Sequence, residues 1–231
     1  MEIFAMTAIV IGASGGIGAA MVEALRDEEI AVRGFARSFI GPDHLDLTDE
    51  ASIAAAAASL TTPPTLVFLA TGLLHEDERS PEKGLAALDA EWLMRQYAIN
   101  TIGPALVAKH LLPKMPKTGR CVFAALSARV GSIGDNRLGG WYGYRMAKAA
   151  LNQFVRTVSI EEKRRNDRSI VVGLHPGTVD TALSKPFQGN VRADQLFTPS
   201  RAAVQLLDVL DALKAPDTGK LFDWEGKEVT P

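Results

Sequence analysis

A glycine-rich turn near the start of the chain limits the fold more than any other sequence feature. Thr7–Ile11 is a short apolar run, and residues 12–18 then read Gly-Ala-Ser-Gly-Gly-Ile-Gly. From Ile17 to Asp27 the apolar residues recur at the spacing of an amphipathic helix. A strand that enters a helix through a tight turn is typical of a β-α-β unit, so we predict a sheet covered by helices.

The rest of the chain continues this alternation. Further strand candidates are Ile30–Phe35, Thr65–Ala70, Arg120–Leu126, Ser169–Leu174 and Lys220–Trp224. Helix candidates are Asp49–Leu60, Glu91–Met115, Tyr142–Arg165 and Pro199–Leu213. The strand candidates are continuous apolar runs, which indicates burial on both faces and therefore a parallel sheet. We predict one α/β domain over residues 1–231, a doubly wound parallel sheet of about seven strands, with Pro104 marking a kink or junction in its helix.

Charge and cysteine content exclude several classes of protein. The 231 residues carry 25 Lys and Arg against 27 Asp and Glu, a net charge of −2, so we expect no nucleic-acid partner. Cys121 is the only cysteine, which fits a reducing cytoplasm. No apolar run reaches the roughly 18 residues of a membrane span, and Met1–Val10 lacks a basic segment typical of signal peptides. The histidines show no metal-site spacing, so no metal is expected.

The glycine-rich turn has the properties of an anion site. Gly12 permits a tight turn, Gly16 lets a pyrophosphate approach the backbone, and Gly18 lets the helix pack close to the strand. Free N–H groups and the helix dipole at the start of the helix favour negative charge. The spacing Gly-x3-Gly-x-Gly differs from the commoner Gly-x-Gly-x-x-Gly, and a turn without a ligand is the alternative.

Arg37 follows the second strand candidate, where dinucleotide sites often carry an acidic residue for the ribose hydroxyls. Residues 34–38 contain no carboxylate. An arginine suits a 2′-phosphate through charge-assisted hydrogen bonds. The sequence therefore favours NADP(H), with NAD(H) possible, and a solvated surface arginine is the alternative.

Four polar residues in order along the chain carry a family resemblance. Tyr144 and Lys148 form a Tyr-x3-Lys at the start of a long helix, Ser127 ends a strand 17 residues before Tyr144, and Asn100 lies on the preceding helix. Together with the glycine-rich turn, this pattern resembles the short-chain dehydrogenase/reductase family over nearly the whole chain. The resemblance implies a Rossmann domain in which Asn100, Ser127, Tyr144 and Lys148 are catalytic.

The resemblance also assigns contacts with the cofactor. Besides Gly12, Gly16, Gly18, Arg37, Asn100, Tyr144 and Lys148, it implies cofactor contacts for Ser14, Ile17, Asp46, Leu47, Ala70, Thr71, Gly72, Pro176, Gly177, Val179 and Thr181. Ala70-Thr71-Gly72 takes the place of the family's Asn-Ala-Gly and lacks its asparagine. Residues 135–140 and the ending Gly219–Lys227 are similar to the branch of C-factor and sniffer-type carbonyl reductases.

Carbonyl reduction needs a hydride donor and a proton donor, and Tyr144 would supply the proton. Lys148 lies four residues later, on the same helix face, where its charge would lower the pKa of Tyr144 and it would hold the ribose. Ser127 would polarise the carbonyl, and by resemblance Asn100 would hold a relay water. The alternatives are a core aromatic cluster around Tyr144, a solvated Lys148 and a Ser127 that simply ends its strand.

Loops at the carboxyl ends of the strands should form the substrate pocket. The candidates are Leu73, Leu74, Arg129, Val130, Trp141, Phe187 and Trp224. This mostly apolar set favours a small hydrophobic ketone or aldehyde, or the corresponding alcohol, while Arg129 either favours an anionic group or lies at the rim.

Two other functions stay open: a nucleotide-binding regulatory protein of C-factor type with little turnover, and an NAD-dependent alcohol dehydrogenase. By resemblance, the helices Glu91–Met115 and Tyr142–Arg165 would pair in a homodimer or homotetramer.

Overall fold

All neighbouring strands of the central sheet run parallel in the computed structural model, which describes residues 6–76 and 79–231. The strands are β1 (Thr7–Ile11), β2 (Ala31–Phe35), β3 (Leu66–Leu69), β4 (Cys121–Leu126), β5 (Ser169–His175), β6 (Thr178–Val179), β7 (Leu196–Phe197) and β8 (Leu221–Asp223). The sheet order is β2-β1-β3-β4-β5-β8, and β6 and β7 form a separate pair. The predicted α/β class is confirmed, but the main sheet has six strands among the described residues rather than about seven.

Helices cover both faces of this sheet. They are α1 (Gly16–Asp27), α2 (Glu50–Ala58), α3 (Ala90–Tyr97), α4 (Gly103–Leu111), α5 (Tyr142–Arg165) and α6 (Pro199–Ala212). Met21 of α1 and Leu206 of α6 belong to a core cluster on one face. Ile53 of α2, Val107 of α4 and Leu151 of α5 belong to the cluster on the other. Because both faces are covered, the inner strands β1, β3 and β4 are almost entirely apolar, as the sequence predicted, whereas the edge strand β2 carries the partly exposed Arg33.

The predicted helix Glu91–Met115 consists of four segments, the last of which is a 3₁₀ turn, Leu112–Lys114. A π-helical turn, Ala98–Ile102, separates α3 from α4, and Pro104 lies in the first turn of α4. Proline has no N–H to donate to the carbonyl four residues earlier, which is that of Asn100. The junction expected at Pro104 is therefore confirmed, and it places Asn100 in a turn of unusual geometry. Such turns inside α-helices occur frequently at functional sites.

The strand order places a crevice at the carboxyl ends of the strands, between β1 and β3. From β1 the chain moves to β2 on one side and then to β3 on the other. Ligands of doubly wound folds bind outside the carboxyl ends of the strands at this switch point. The glycine-rich turn after β1 and residues 70–72 after β3 both lie there. The fold thus brings together two of the segments to which the sequence assigned cofactor contacts.

In the part of the chain that the structure describes, no helix combines the length and apolar character that crossing a membrane requires. Within the same residues, no three His, Cys, Asp or Glu side chains come together as a metal site. The signal-peptide expectation rests partly on residues 1–5, which lie outside the described residues.

Candidate active site

The glycine-rich turn forms one wall of the crevice. Gly12 has a positive φ of 85°, and a side chain on Gly18 would collide with the carbonyl oxygen of Gly12 and the side chain of Ala70. Both roles predicted from the sequence, a tight turn and close helix packing, are therefore present. Gly15 caps α1 and has no side chain to occupy the first N–H groups, and Ser14 is exposed beside it. These N–H groups remain available to an anion.

The loop after β5 packs against this turn. A Cβ on Gly16 would lie only 2.7 Å from Cγ2 of Thr181. Ile17 packs against a small cluster that contains Val179, Phe197 and Trp224. The structure thus brings Gly16, Ile17, Val179 and Thr181 together, as the cofactor assignment requires.

Trp224 lies in a different place from the one the sequence suggested. Its ring makes an edge-to-face contact with the ring of Phe197, with 4.7 Å between the centroids. Both rings contact Gly177, which follows Pro176 and has a positive φ of 74°. Trp224 therefore supports the loop after β5, because it packs against Val179 and Phe197 and is not part of the apolar cluster around Tyr144 described below.

Residues at the end of β3 leave polar groups in the crevice. The Thr71 hydroxyl is buried, and no partner for it lies among the described residues. A Cβ on Gly72 would lie 3.5 Å from Oδ1 of Asn100 and 3.7 Å from Nζ of Lys148. An unpartnered buried hydroxyl, a glycine-lined space and uncapped helical N–H groups fit a phosphate-bearing dinucleotide.

Asn100 is fully buried and fixes the backbone of Leu73. Its Oδ1 accepts from the Leu73 N–H at 2.9 Å, and its Nδ2 donates to the Leu73 carbonyl at 2.8 Å. Nδ2 also donates to Oε1 of Gln96 at 2.8 Å. The π-helical turn therefore connects the chain after β3 to the helix layer, and Asn100 positions Leu73, one of the residues predicted to line the substrate pocket.

Ser127 follows the end of β4 and is 4% exposed. Its N–H donates to the carbonyl of Leu174 at 2.8 Å, and its hydroxyl donates to Oδ1 of Asn152 at 2.6 Å. Sequence reasoning missed Asn152. The signal was available, because residues 144, 148 and 152 are four apart and share one face of α5.

Tyr144 and Lys148 are both buried, at 7% and 2% exposure. The ammonium of Lys148 donates to the Leu126 carbonyl at 2.8 Å and lies 5.6 Å from the centre of the Tyr144 ring. Burial raises the pKa of Tyr144 and lowers the pKa of Lys148 to about 7. The sequence predicted the opposite direction for Tyr144, because it considered the neighbouring cation and not the desolvation of the phenol. The alternative of a solvated Lys148 is wrong.

An apolar cluster surrounds the Tyr144 ring. It contains Leu74, Ala128, Val130, Trp141, Leu183 and Phe187. The Trp141 ring lies 6.4 Å from that of Tyr144 and 5.1 Å from that of Phe187, between centroids. The structure thus brings most of the predicted substrate residues to the tyrosine. Arg129 lies at the rim, since its half-exposed side chain pairs with Asp135 at 2.6 Å.

A buried carboxylate holds the start of α5. Glu82 is 3% exposed, and its Oε2 accepts from the N–H of Gly143 at 3.1 Å. Its backbone carbonyl accepts from the N–H of Trp141, which has a positive φ of 54°. Sequence reasoning missed Glu82, because a cap supplied from 61 residues away leaves no local pattern. Glu82 fixes the end of the helix that carries Tyr144 and Lys148.

The part of the crevice next to the loop after β2 is lined by charged, exposed side chains. Arg37 is exposed after β2, near Asp46 and Glu76, and Glu76 forms a bidentate pair with Arg95 at 2.9 and 3.1 Å. Burial raises the pKa of Asp46, but hydrogen bonds from Thr48 and the charges of Arg37 and Arg95 bring it below its usual range.

Leu47, which the resemblance assigned to the cofactor together with Asp46, is half-buried against Gly103.

The curated relatives that match more than half of the chain include a bacterial dehydrogenase and a bacterial signal protein. A 1-hydroxy-2-glutathionyl-2-methyl-3-butene dehydrogenase from Rhodococcus sp. (strain AD45) is 31% identical over 95% of this chain and 97% of the relative. The C-signal of Myxococcus xanthus is 34% identical over 63% of this chain and 82% of its own length. The dehydrogenase agrees with the oxidoreductase activity that the sequence predicted.

A family model described as enoyl-(acyl carrier protein) reductase matches residues 36–209, a range that includes Asn100, Ser127, Tyr144 and Lys148. The crystal structure of NADPH-bound carbonyl reductase from chicken fatty liver superposes with a TM-score of 0.80. It is 25% identical and covers 97% of this chain and 98% of that one. The C-signal and carbonyl-reductase matches agree with the branch that the sequence indicated.

Proposed function

The chain belongs to the short-chain dehydrogenase/reductase family of NAD(P)-dependent oxidoreductases, and we propose that it reduces small apolar ketones or aldehydes with NADPH. The observation that carries the proposal is the buried set of Ser127, Tyr144 and Lys148 beside an apolar aromatic cluster. A polar set of this kind, with few charges and an apolar surround, suits a neutral carbonyl substrate.

The glycine-rich turn, Thr71 and the loop that carries Thr181 would hold the cofactor. A bound nicotinamide cofactor supplies the hydride. The N–H groups at the start of α1 would bind its phosphates, since they have no side-chain cap. Lys148 would bind the ribose next to the nicotinamide, because Gly72 has no side chain to cover its ammonium.

Tyr144 is the proton donor in this proposal. Burial keeps its phenol protonated at neutral pH, because it raises the pKa. The proton passes from Oη to the carbonyl oxygen, which becomes far more basic than phenolate as the carbonyl is reduced. Ser127 polarises the same oxygen. The rings of Trp141 and Phe187 keep water away from the reacting carbonyl.

Lys148 and Asn100 would return the proton to Tyr144. With a pKa near 7, Lys148 exchanges protons readily at neutral pH. By the family resemblance Asn100 would hold a relay water near the ammonium, and both groups lie beside Gly72.

Arg37 would favour NADPH over NADH by binding the 2′-phosphate. It is exposed after β2, and residues 34–38 contain no carboxylate that would bind the ribose hydroxyls instead. The carbonyl reductase from chicken fatty liver was crystallised with NADPH, which supports the same preference.

A homodimer or homotetramer in the cytoplasm is part of the proposal. Large apolar side chains are exposed along α3, the π-helical turn and α5: Met94, Ile102, Met146 and Ile160. Exposed apolar groups on neighbouring helices favour association with a second copy. The single buried Cys121 is compatible with a reducing compartment.

A regulatory function is the second candidate, because the C-signal is 34% identical to part of the chain. The buried catalytic set favours turnover. Burying a lysine costs free energy, and a protein that only binds nucleotide gains nothing from that cost. An NAD-dependent alcohol dehydrogenase differs only in cofactor and direction.

The test is a calorimetric titration of the purified protein with NADPH and NADH, followed by a panel of ketones and aldehydes. We expect at least about tenfold tighter binding of NADPH and oxidation of NADPH by apolar carbonyls. Preference for NADH with oxidation of alcohols would support the dehydrogenase. Binding of nucleotide without any turnover would support the regulatory function.

A further inference from the structure

We propose that Asn152 is a positioning residue that decides whether Ser127 donates or accepts a hydrogen bond in the active site. The inference rests on the proposed function, because it concerns how Ser127 polarises a carbonyl. Nothing in the similarity to other proteins assigns a role to Asn152. It follows Tyr144 and Lys148 along the same face of α5 and contacts Ser127 directly.

The proton of Ser127 is already engaged. A serine hydroxyl has one proton, and here it is directed to Oδ1 of Asn152 at 2.6 Å. A carbonyl oxygen is an acceptor only, so Ser127 in this state offers it lone pairs and no proton. Polarising a substrate requires that the hydroxyl proton leave Asn152.

The other half of the Asn152 amide is unsatisfied. Its Nδ2 is buried, and no acceptor for it lies among the described residues. Burying an amide N–H without an acceptor is costly. Rotation of the amide by about 180° exchanges Oδ1 and Nδ2, which are nearly equal in size. Nδ2 then donates to Oγ of Ser127, and the hydroxyl proton is free for the substrate oxygen.

The side of this pair that faces β5 is formed by a glycine. Gly173 on β5 lies beside the pair: a Cβ there would be 3.5 Å from Cβ of Ser127 and 3.7 Å from Oδ1 of Asn152. No bond forms or breaks in the exchange, and the Ser127 proton stays on Oγ. The proton that is transferred to the product still comes from Tyr144.

Asn152→Asp is the decisive variant. A carboxylate only accepts, so it fixes the Ser127 proton away from the substrate. We expect kcat to fall by about 10²–10³-fold, as for the loss of one oxyanion donor. Activity should recover partly as the pH falls, because a protonated carboxyl donates to Oγ. Asn152→Leu removes the contact without binding the proton, so its kcat should fall less than that of Asn152→Asp.

Gln153→Asp is the matched control, since it places the same charge one residue further on an exposed position. Its kcat and pH profile should equal those of the wild type. If Asn152→Asp keeps kcat within about threefold, or if Asn152→Leu is the more damaged variant, the inference is wrong while the proposed function stands. A wild type without any carbonyl turnover overturns both.

A second measurement does not depend on activity or on folding of the Asp variant. In ¹⁵N-labelled protein, the side-chain amide signal of Asn152 is assigned by its loss in Asn152→Leu. Ser127→Ala should shift that signal, because it removes the hydrogen-bond partner. An Asn152 signal that is the same in wild type and Ser127→Ala overturns the inference.

Discussion

The two ends of the crevice differ in how far their charged side chains are exposed to solvent. At the end of β4 and α5, Lys148 is 2% exposed and its ammonium binds a backbone carbonyl. Below β2, the side chains of Arg95 and Glu76 are 33% and 36% exposed, and Arg37 is exposed near them. At the buried end, burial strongly lowers the pKa of Lys148, because one hydrogen bond to a carbonyl does not fully compensate for the desolvation of its ammonium. The exposed end holds ordinary ion pairs that solvent and salt screen.

This difference separates chemistry from recognition. Proton transfer needs groups whose pKa values are moved, and the buried face of α5 provides them. Recognition of a phosphate needs charge within reach of solvent, and the loop after β2 provides it. Substitutions at the buried end should therefore have larger effects than substitutions at the exposed end.

Tyr144→Phe should have the largest effect. It removes the proton donor, and we expect kcat for carbonyl reduction to fall by about 10²–10⁴-fold while NADPH affinity stays the same. Steady-state kinetics and calorimetry measure the two quantities. Tyr142→Phe, which removes a hydroxyl from the same turn of α5, is the control and should retain activity. Equal activity of both variants would contradict the role of Tyr144.

Lys148→Met should change how stability depends on pH. The pKa of Lys148 is near 7 in the folded protein and near 10.4 in the unfolded chain, so the unfolded chain binds more protons between these values. The stability of the wild type should therefore rise with pH from 7 to 10, relative to Lys148→Met, by about 1–4 kcal/mol in total.

Urea unfolding of both proteins at pH 7, 8.5 and 10 measures the relative stability of wild type and Lys148→Met. Comparing the two proteins cancels the groups they share, Tyr144 included. A constant difference between wild type and variant across this range would show that Lys148 keeps its ordinary pKa.

Arg37→Ala should have the smallest effect, and it should depend on salt. We expect NADPH to bind about 10- to 150-fold more weakly, with little change for NADH. The difference between the two cofactors should shrink as ionic strength rises, because the arginine is exposed. Arg26→Ala, an exposed arginine on α1, is the control. Equal losses for both cofactors would assign Arg37 to a structural role.

The sequence predicted the parts of the molecule that are encoded locally. The bounds of α5, Tyr142–Arg165, and of β1, Thr7–Ile11, match the structure, because apolar spacing and the flanking turns specify them. The four-residue spacing of Tyr144 and Lys148 also placed both on one buried face. The fold class and its main parallel sheet followed from the same periodicity.

What the sequence did not predict depends on distant neighbours. Burial decides the pKa direction of Tyr144, and burial is a property of the assembled pocket. Glu82 reaches α5 from a loop, and Asn152 becomes relevant only because β4 places Ser127 against it. Trp224 belongs to the support of the loop after β5, which its aromatic character alone could not reveal.

The π-helical turn makes the active site sensitive to the number of residues in its helix. Each helical residue turns the chain by about 100°. Removing one residue from Ala98–Ile102 would convert the turn to α-helix and rotate Asn100 away from Leu73, or shift α4 relative to the sheet. A one-residue gap here, in an alignment where every catalytic residue is retained, would therefore mark a relative with a different active site.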